Sequence, residues 1–324
     1  MDSLPKISVC IPTYNNEQII DYCLNYVQLQ NYPRELIEII IVDGGSVDNT
    51  KQICRKYTNI ILDNQDKVEE RGRFLGIKKA SGEVIAFIDA DNLLKDKEVF
   101  IKMVQPFIYN EKVIFSEPKF YSAGCDDNFI TRYISLIGGD DPVAVYLGIY
   151  DRYCYFKSDW TDSPYEIVNK QNDYQVFRLK DIANMPPFGA NTCFIKKKAL
   201  LDVMYDPFLH TDVVHRLLIN NNLFAKINVG IVHQQDLRLI NFMRKKIRRL
   251  RRNYTDLKRE YYFSINKDNA KTLILKCLFI LPLFIDSVIG YRNKKDWVWA
   301  LHPLMVLMTA ILYIYFLIIK KLWN

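Results

Sequence analysis

Short apolar runs alternate with polar segments of helical spacing in the first part of the chain. Apolar stretches cover residues 7–11, 36–42 and 82–88, and each is followed by turn-forming or acidic side chains. Runs of this length, bounded by glycine, proline or asparagine, predict buried strands. Residues 17–30, between the first two runs, carry apolar positions at helical spacing. Strands and helices that alternate at this pace predict βαβ units, and therefore an α/β fold with a largely parallel sheet.

Acidic side chains end two of these predicted strands. Asp89 and Asp91 follow the third strand, and Asp43 follows the second. The carboxyl edge of parallel strands is where open α/β sheets bind ligands. Two carboxylates at this edge suit Mg²⁺ or Mn²⁺, which would bridge them to diphosphate oxygens, whereas a solvated turn is the other interpretation. Asp43 is suited to accept hydrogen bonds from a ribose or a base edge, or to cap the helix that begins near Asp48.

Four segments occur in the order and spacing of the family 2 glycosyltransferases. They are SVCIPTYNNE at 8–17, IVDGGSVDNT at 41–50, GIKKASG at 76–82 and FIDADN at 87–92. The chain resembles that family over residues 5–235. The resemblance implies the GT-A fold, a Rossmann-like, mostly parallel nucleotide-diphospho-sugar transferase fold. It also implies inverting transfer of a sugar from a nucleotide-diphosphate donor.

The resemblance assigns roles to residues in the N-terminal half. Four of them would contact the nucleotide: Pro12, Tyr14, Glu17 and Asp43. Asp89 would serve the donor and Asp91 the divalent ion. Many relatives carry an Arg-Asn pair in the helix before the DxD strand, and this chain has Arg73-Phe74 there. Arg73 is expected to reach the nucleotide, but Phe74 cannot hydrogen-bond.

Residues 188–200 resemble the acceptor half of the family, which has a glycine turn followed by a strand and a helix. Gly189 and Asn191 would contact the acceptor, because a small residue lets the backbone approach a sugar closely. Asp212 would be the general base that deprotonates the attacking hydroxyl. Thr211 stands where the family often has glutamate, so Asp212 is the acid left in register. The other interpretation makes Asp212 the N-cap of a helix over residues 213–219.

Two further features have both a functional and a structural interpretation. His233 follows the apolar run 225–232; by likeness to GT-A enzymes it would be a third metal ligand or a diphosphate contact, and otherwise it is structural. Residues 137–161 are rich in aromatic and acidic side chains. They suit the stacking and hydrogen bonding of a sugar acceptor, with Asp140 and Asp141 as candidate contacts, or the packing of a lid.

The C-terminal part of the chain changes composition. Basic residues dominate 244–259, and apolar residues recur there at steps of three and four. This pattern predicts a basic amphipathic helix on an anionic membrane surface. A solvated helix and a nucleic-acid patch are the alternatives, but no nucleic-acid motif accompanies the basic residues, so we expect no nucleic-acid partner. The net charge of +7 comes largely from this segment.

Two apolar runs follow the basic segment. Residues 297–319 contain no charged side chain, and about 20 apolar residues suffice to cross a bilayer. Trp297, Trp299 and Trp323 flank this run as interfacial anchors do. The shorter run 273–289 carries Lys276 and Asp286. It either spans as half of a hairpin or lies in the interface, so we expect one or two transmembrane helices.

These patterns and the family resemblance together predict three regions and an activity. The regions are a catalytic domain over 1–235, an interfacial helix over 236–265 and a membrane anchor over 270–324. The positive-inside bias places the catalytic domain on the cytoplasmic side of the cell membrane. The expected partners are a nucleotide-sugar donor, a lipid-linked or surface-glycan acceptor, and membrane lipids. A nucleotidyltransferase and a non-catalytic membrane scaffold are the alternatives, and the departures from the family pattern at Thr211 and Phe74 keep the scaffold open.

Overall fold

The computed structural model describes residues 4–189, 191–255 and 259–323. Lys258, which belongs to the predicted basic helix, lies outside the described residues. The chain forms two compact units: Met1–Lys119 with Ser163–His233, and Phe120–Asp162 with Gln234–Asn324. The catalytic domain over 1–235 stays a prediction, since residues 120–162 group with the C-terminal residues.

The first unit is built on a sheet of ten strands. The strands are β1 (Ile7–Thr13), β2 (Ile37–Asp43), β3 (Ile61–Asp63), β4 (Val84–Phe87), β5 (Asn92–Leu93), β6 (Phe115–Tyr121), β7 (Tyr165–Lys170), β8 (Tyr174–Leu179), β9 (Cys193–Lys196) and β10 (Phe224–His233). Their order is β3-β2-β1-β4-β9-β6-β10-β8-β7, and β5 pairs with β10. The predicted α/β class is therefore confirmed.

The sheet mixes parallel and antiparallel pairing. β1 pairs in parallel with β2 and β4, and β2 pairs in parallel with β3. β9 runs antiparallel to both β4 and β6, and β8 runs antiparallel to β7 and β10. The expectation of a largely parallel sheet thus holds for the N-terminal strands, whereas β9, β8 and β7 join the sheet by antiparallel pairing.

The helices follow the predicted order, but the helix expected over 17–30 is shorter and the one expected over 213–219 is longer. They are α1 (Ile20–Gln28), α2 (Thr50–Cys54), α3 (Glu69–Lys79), α4 (Val99–Tyr109), α5 (Phe129–Ile137), α6 (Pro142–Tyr146), α7 (Lys197–Leu201), α8 (His210–Asn220), α9 (Leu239–Thr255), α10 (Lys267–Phe279), α11 (Leu281–Asn293) and α12 (His302–Trp323). Helix α3 lies directly on β1. A Cβ on Gly76 would lie 3.2 Å from Cys10 Sγ, so the absence of a side chain permits this close packing.

The basic amphipathic helix corresponds to α9, in the second unit. Phe242 and Met243 are buried, whereas Arg244 and Arg248 are exposed. Lys246 departs from the predicted polar face because it is only 4% exposed and lies 3.4 Å from the Asp141 carboxylate. One of the basic residues therefore neutralises an acid of its own unit.

The two apolar runs form different structures. The shorter run is broken at Ile280, where α10 and α11 meet at a bend of 104°. The longer run is a helix over Trp297–Ile318, and its length and composition are sufficient to cross a membrane. Its first turn is a 3-10 helix (Trp297–Leu301) that leads into α12. Among the described residues, this is the one continuous helix of that length and apolarity.

Candidate active site

The loops that follow β1 and β2 are joined into one rim at the carboxyl edge of the sheet. The Asn15 amide donates to Ser46 Oγ at 2.9 Å, and the Val47 amide donates to Asn15 Oδ1 at 3.0 Å. The Asn49 amide donates to Glu17 Oε2 at 3.0 Å. Glu17, one of the predicted nucleotide contacts, therefore already helps to hold this rim together.

Tyr14 is the exposed member of the predicted nucleotide contacts. It is 52% exposed and lies beside Gly44, whose amide donates to the Thr13 carbonyl at 2.8 Å. Pro12, two residues earlier in β1, is half-buried. An exposed tyrosine on a rigid rim offers a flat face on which a base can stack, so the predicted contact is sterically open.

Asp43 has a different environment from the one expected. Its side chain is fully buried and accepts hydrogen bonds from the Gly45 and Ser46 amides, both at 2.9 Å. The Ser46 hydroxyl and Lys51 also contact this carboxylate, the latter at 3.3 Å. An aspartate that accepts bonds from the next residues holds a turn. Asp43 thus shapes the rim, and its direct contact with a nucleotide stays a prediction.

Arg73 is held against the first carboxylate of the DxD motif. It is 2% exposed, and its Nη2 lies 2.8 Å from Asp89 Oδ1. Glu69, one turn earlier on α3, also pairs with this guanidinium. Burial raises the pKa of Asp89, and the charge of Arg73 opposes that shift. Arg73 Nε is buried and has no hydrogen-bond partner among the described residues, so one donor remains for a ligand.

Asp91, the second carboxylate, lies beside the predicted histidine. His233 Nε2 is 3.4 Å from Asp91 Oδ2, because β10 pairs with β5 in the register that sets His233 opposite Asn92. Adjacent ligands of an octahedral ion, each at about 2.1 Å, are about 3.0 Å apart. The two side chains therefore fit neighbouring positions around one Mg²⁺ or Mn²⁺ ion.

The protein supplies few metal ligands at this point. No group of three or more histidine, cysteine or acidic side chains that could hold a metal ion occurs among the described residues. Mg²⁺ is often bound by one or two carboxylates with the rest of its shell provided by water and substrate phosphates. Asp91 and His233 suit that mode of binding, in which the donor diphosphate completes the site.

A strained loop lies next to the DxD motif. Gly189, Asn191 and Thr192 have φ values of +97°, +52° and +68°. Asn92 is fully buried; its side-chain Nδ2 donates to Asn191 Oδ1 at 3.3 Å, and its side-chain Oδ1 accepts from Thr192 Oγ1 at 3.3 Å. Left-handed backbone at non-glycine residues costs free energy and persists where surrounding contacts fix it, often at ligand sites. Asn191, one of the predicted acceptor residues, is thereby joined to the DxD turn.

A buried ion pair that the sequence did not reveal supports the same loop. Glu117 and Lys226 are both fully buried, with Oε2 and Nζ 2.9 Å apart. The other oxygen of Glu117 accepts a hydrogen bond from the Gly189 amide at 2.8 Å. Both residues lie inside strands, where one charge among apolar neighbours gives little signal of its partner. Loss of one partner from such a pair typically costs about 3–5 kcal/mol.

Asp212 lies in the first turn of α8 and is fully buried. The helix begins at His210 after an N-cap residue, Leu209, so the interpretation of Asp212 as the N-cap is wrong. Tyr205 donates its hydroxyl proton to Asp212 Oδ2 at 2.8 Å. Gly189 is close to the same helix, since a Cβ on it would lie 2.8 Å from Val214 Cγ2.

Asp140 and Asp141 belong to the second unit and have local roles there. Asp141 is the N-cap of α6 and accepts from the Ala144 amide at 3.1 Å. It also accepts from the Tyr313 hydroxyl at 2.9 Å, and Lys246 lies near both acids. Their predicted contact with an acceptor stays untested.

Curated proteins that are similar to this chain are glycosyltransferases by name. The curated relatives include the glycosyltransferase AglE of Haloferax volcanii, 38% identical over 95 residues, which are 28% of this chain and 31% of AglE. Another is the poly(ribitol-phosphate) beta-N-acetylglucosaminyltransferase TarS of Staphylococcus aureus, 36% identical over 107 residues, 30% of this chain and 19% of TarS. The matches thus span less than a third of either relative.

A solved structure shares the fold. It is the mannosyltransferase PcManGT from Pyrobaculum calidifontis in complex with GDP-Man and Mn²⁺. The two chains superpose with a TM-score of 0.51 at 14% identity, over 96% of this chain and 87% of that one. The model of glycosyl transferase family 2 matches residues 8–201, which is more than half of the chain. With its GT-A fold and its DxD motif beside Arg73 and His233, this chain belongs to glycosyl transferase family 2.

Proposed function

We propose that this glycosyltransferase moves a sugar from a nucleoside-diphosphate donor to a lipid-linked or surface-glycan acceptor. Transfer would occur with inversion at the cytoplasmic face of the membrane and would require Mg²⁺ or Mn²⁺. The observation that carries the membrane part of the proposal is the helix over Trp297–Ile318. An enzyme held at a bilayer meets acceptors that are themselves held there, which favours a lipid-borne acceptor over a soluble one.

Asp91 and His233 would hold the ion at the donor diphosphate. Bound there, the ion would neutralise the charge that develops on the leaving diphosphate. Asp89 is fixed by Arg73 at 2.8 Å, so its carboxylate has a defined orientation toward the donor. Tyr14 and Pro12, on the rim after β1, would contact the nucleoside.

Asp212 would accept the proton of the attacking hydroxyl. A base must come within about 2.6–3.2 Å of that proton's oxygen, directly or through one water. Asp212 is buried and engaged by Tyr205, so the acceptor must reach it past Tyr205 and the loop at Gly189. The strained backbone of that loop would then approach the acceptor sugar closely.

The acceptor class draws support from a relative. TarS, by its name, transfers N-acetylglucosamine to poly(ribitol phosphate), which is a polymeric acceptor. A growing glycan of this kind would fit an enzyme held at the membrane as well as a polyprenyl phosphate would. Both are therefore included in the proposal.

We expect membranes that contain the full-length chain to transfer labelled sugar from one member of a UDP-, GDP- and dTDP-sugar panel into the organic-solvent extract. The reason is that a lipid-linked product partitions with the lipids. The measurement is the label in the extract, and membranes with Asp91→Asn are the control, since that variant lacks the metal-binding carboxylate. Label found only in water-soluble polymer would favour a surface glycan, and label found only in free sugar would contradict both acceptors.

A further inference from the structure

Neither helix of the bent pair α10–α11 is long enough to cross a membrane alone. Each helix has 13 residues, which corresponds to about 20 Å at 1.5 Å per residue. The apolar core of a bilayer is about 30 Å thick. The two axes meet at 104° at Ile280, whose φ is +58°. The pair therefore forms a wedge with its apex at Ile280.

Both ends of this wedge contact the same stretch of chain, Phe120–Asp162. Near the start of α10, Asn269 lies close to Gly148: a Cβ added to Gly148 would lie 3.2 Å from Asn269 Nδ2. At the end, Asn293 Nδ2 donates to the Tyr155 carbonyl at 2.7 Å. The chain thus enters and leaves the wedge on one side.

The loop after α11 is fixed to that stretch as well. Arg132 on α5 donates from Nε and Nη2 to the two oxygens of Asp296, at 3.1 and 2.9 Å. The guanidinium of Arg132 also lies over the Trp297 ring, 5.6 Å from its centroid. A bidentate arginine–carboxylate pair adds geometric specificity as well as binding energy. The loop therefore cannot move away from α5 without breaking the Arg132–Asp296 pair.

The two charged residues inside the apolar run hold the bend. Lys276 Nζ lies 2.5 Å from Asp286 Oδ2, although the residues are ten positions apart. In one straight helix they would be about 15 Å apart, since each residue adds about 1.5 Å. Asp286 also accepts from the Tyr146 hydroxyl, which contacts His302 Nε2 at 2.8 Å. Charges inside a membrane segment face protein partners in this way.

The outer surface of the wedge is apolar at its apex and basic at its ends. Leu278, Phe279 and Leu281 are 71%, 70% and 67% exposed. Exposed apolar residues continue along both helices: Ile274, Leu275, Phe284, Ile285, Val288 and Ile289. Exposed basic residues lie toward the two ends: Lys271, Arg292, Lys294 and Lys295. This distribution complements an anionic bilayer surface with an apolar interior.

The depth of the wedge corresponds to one leaflet. Its buried residues Leu273 and Leu283 pack with Val306 of α12, and Ala310 packs against the same cluster. From His302 to Ala310 the helix rises about 12 Å, which is close to half of the bilayer core. Beyond it, Ile311, Ile314 and Ile318 are exposed, as a lipid-facing helix requires.

We infer that α10 and α11 form a re-entrant wedge in one leaflet of an anionic membrane, and that among the described residues Trp297–Ile318 is the one crossing segment. The inference rests on the proposed membrane attachment and adds a topology to it. The loop at Lys294 then stays on the same side as Phe120–Asp162, and the crossing segment ends at Ile318 on the opposite side.

Cysteine labelling of the full-length chain in sealed vesicles of known orientation tests this topology. The native Cys125 is exposed and lies in the stretch 120–162, so it reports the reference side in a Cys277→Ser background. Three single cysteines are introduced with Cys125→Ser and Cys277→Ser: Lys294→Cys, Phe279→Cys and Asn324→Cys. A membrane-impermeant maleimide is applied from each side, before and after detergent.

We expect Lys294→Cys to react from the side of Cys125 and Asn324→Cys from the opposite side. Phe279→Cys should react from neither side until detergent is added, because the apex is in lipid. Reaction of Lys294→Cys from the side opposite Cys125 would mean that α10–α11 spans, and reaction of Phe279→Cys from the Cys125 side would mean that the apex lies in water; either result overturns the wedge. Protein absent from the vesicles would contradict membrane attachment itself, a result that is distinct from a wrong topology.

Discussion

Asp91→Asn is expected to weaken metal-dependent binding of the donor by at least ~100-fold. Asp91 is the carboxylate that lies 3.4 Å from His233 Nε2, and an amide is a much poorer ligand for Mg²⁺ or Mn²⁺. Loss of an outer-shell partner alone typically costs about 10–100-fold in metal affinity, so loss of a ligand should cost at least as much. Calorimetric titration of UDP, GDP and dTDP, with and without Mn²⁺, measures the effect.

The matched control for this variant is Asp202→Asn. Asp202 is an exposed acid at the end of α7 in the same unit, so the substitution makes the same charge change away from the site. Asp202→Asn should bind as the wild type does, and both variants should keep the wild-type thermal midpoint within a few degrees. Equal Mn²⁺-dependent affinity in Asp91→Asn and wild type would exclude Asp91 as a metal ligand.

Asp212→Asn is expected to reduce sugar transfer by ~10²–10⁴-fold, the usual effect of removing a positioned general base. Donor binding should persist, because the nucleotide and metal contacts come from other elements. In a purely structural role, Asp212 is a buried acid in the first turn of α8 that accepts a hydrogen bond from Tyr205, and such a charge contributes up to about 2 kcal/mol to stability. A structural role therefore predicts a lower thermal midpoint but near-normal transfer by the folded protein.

Tyr205→Phe separates these roles further. It removes the hydroxyl that donates to Asp212 at 2.8 Å but keeps the carboxylate. Since a hydrogen bond to a charged group is worth about 1.5–3 kcal/mol, we expect an intermediate loss of transfer, smaller than that of Asp212→Asn. Transfer by Asp212→Asn within a few-fold of the wild-type rate, with an acceptor that the wild type uses, would exclude Asp212 as the base.

Strands β1, β2 and β4 were predictable because they are short, largely buried runs. All four residues of β4 are buried, and six of the seven residues of β1 are buried. The parallel strand β3 was not predicted, and it has no buried residue. The antiparallel strands at the other edge of the sheet have weak signals as well. β7 has no buried residue, so neither an apolar run nor a clean alternation marks it as a strand. Its partner β8 is defined as a strand by its antiparallel pairing with β7, and its local sequence pattern does not predict it.

The candidate site was predicted in part for similar physical reasons. The contact of Asp91 with His233 follows from strand ends that meet at one edge of the sheet, which the sequence does indicate. Asp43 is buried because it bonds to the Gly45 amide and to Lys51. These contacts depend on the local geometry of the turn, which the sequence pattern does not give. The Glu117–Lys226 pair joins strands 109 positions apart, and a single sequence contains no signal for that pairing.

Release of nucleoside diphosphate from a panel of UDP-, GDP- and dTDP-sugars by purified full-length protein with Mn²⁺ tests the central claim most directly. We predict turnover of at least one donor by wild type and by Asp202→Asn. That turnover should be abolished by chelation of the metal and by Asp91→Asn. No release from any donor above the buffer rate would favour a scaffold that keeps the fold without turnover. Equal release by Asp91→Asn and wild type would contradict the assignment of the site.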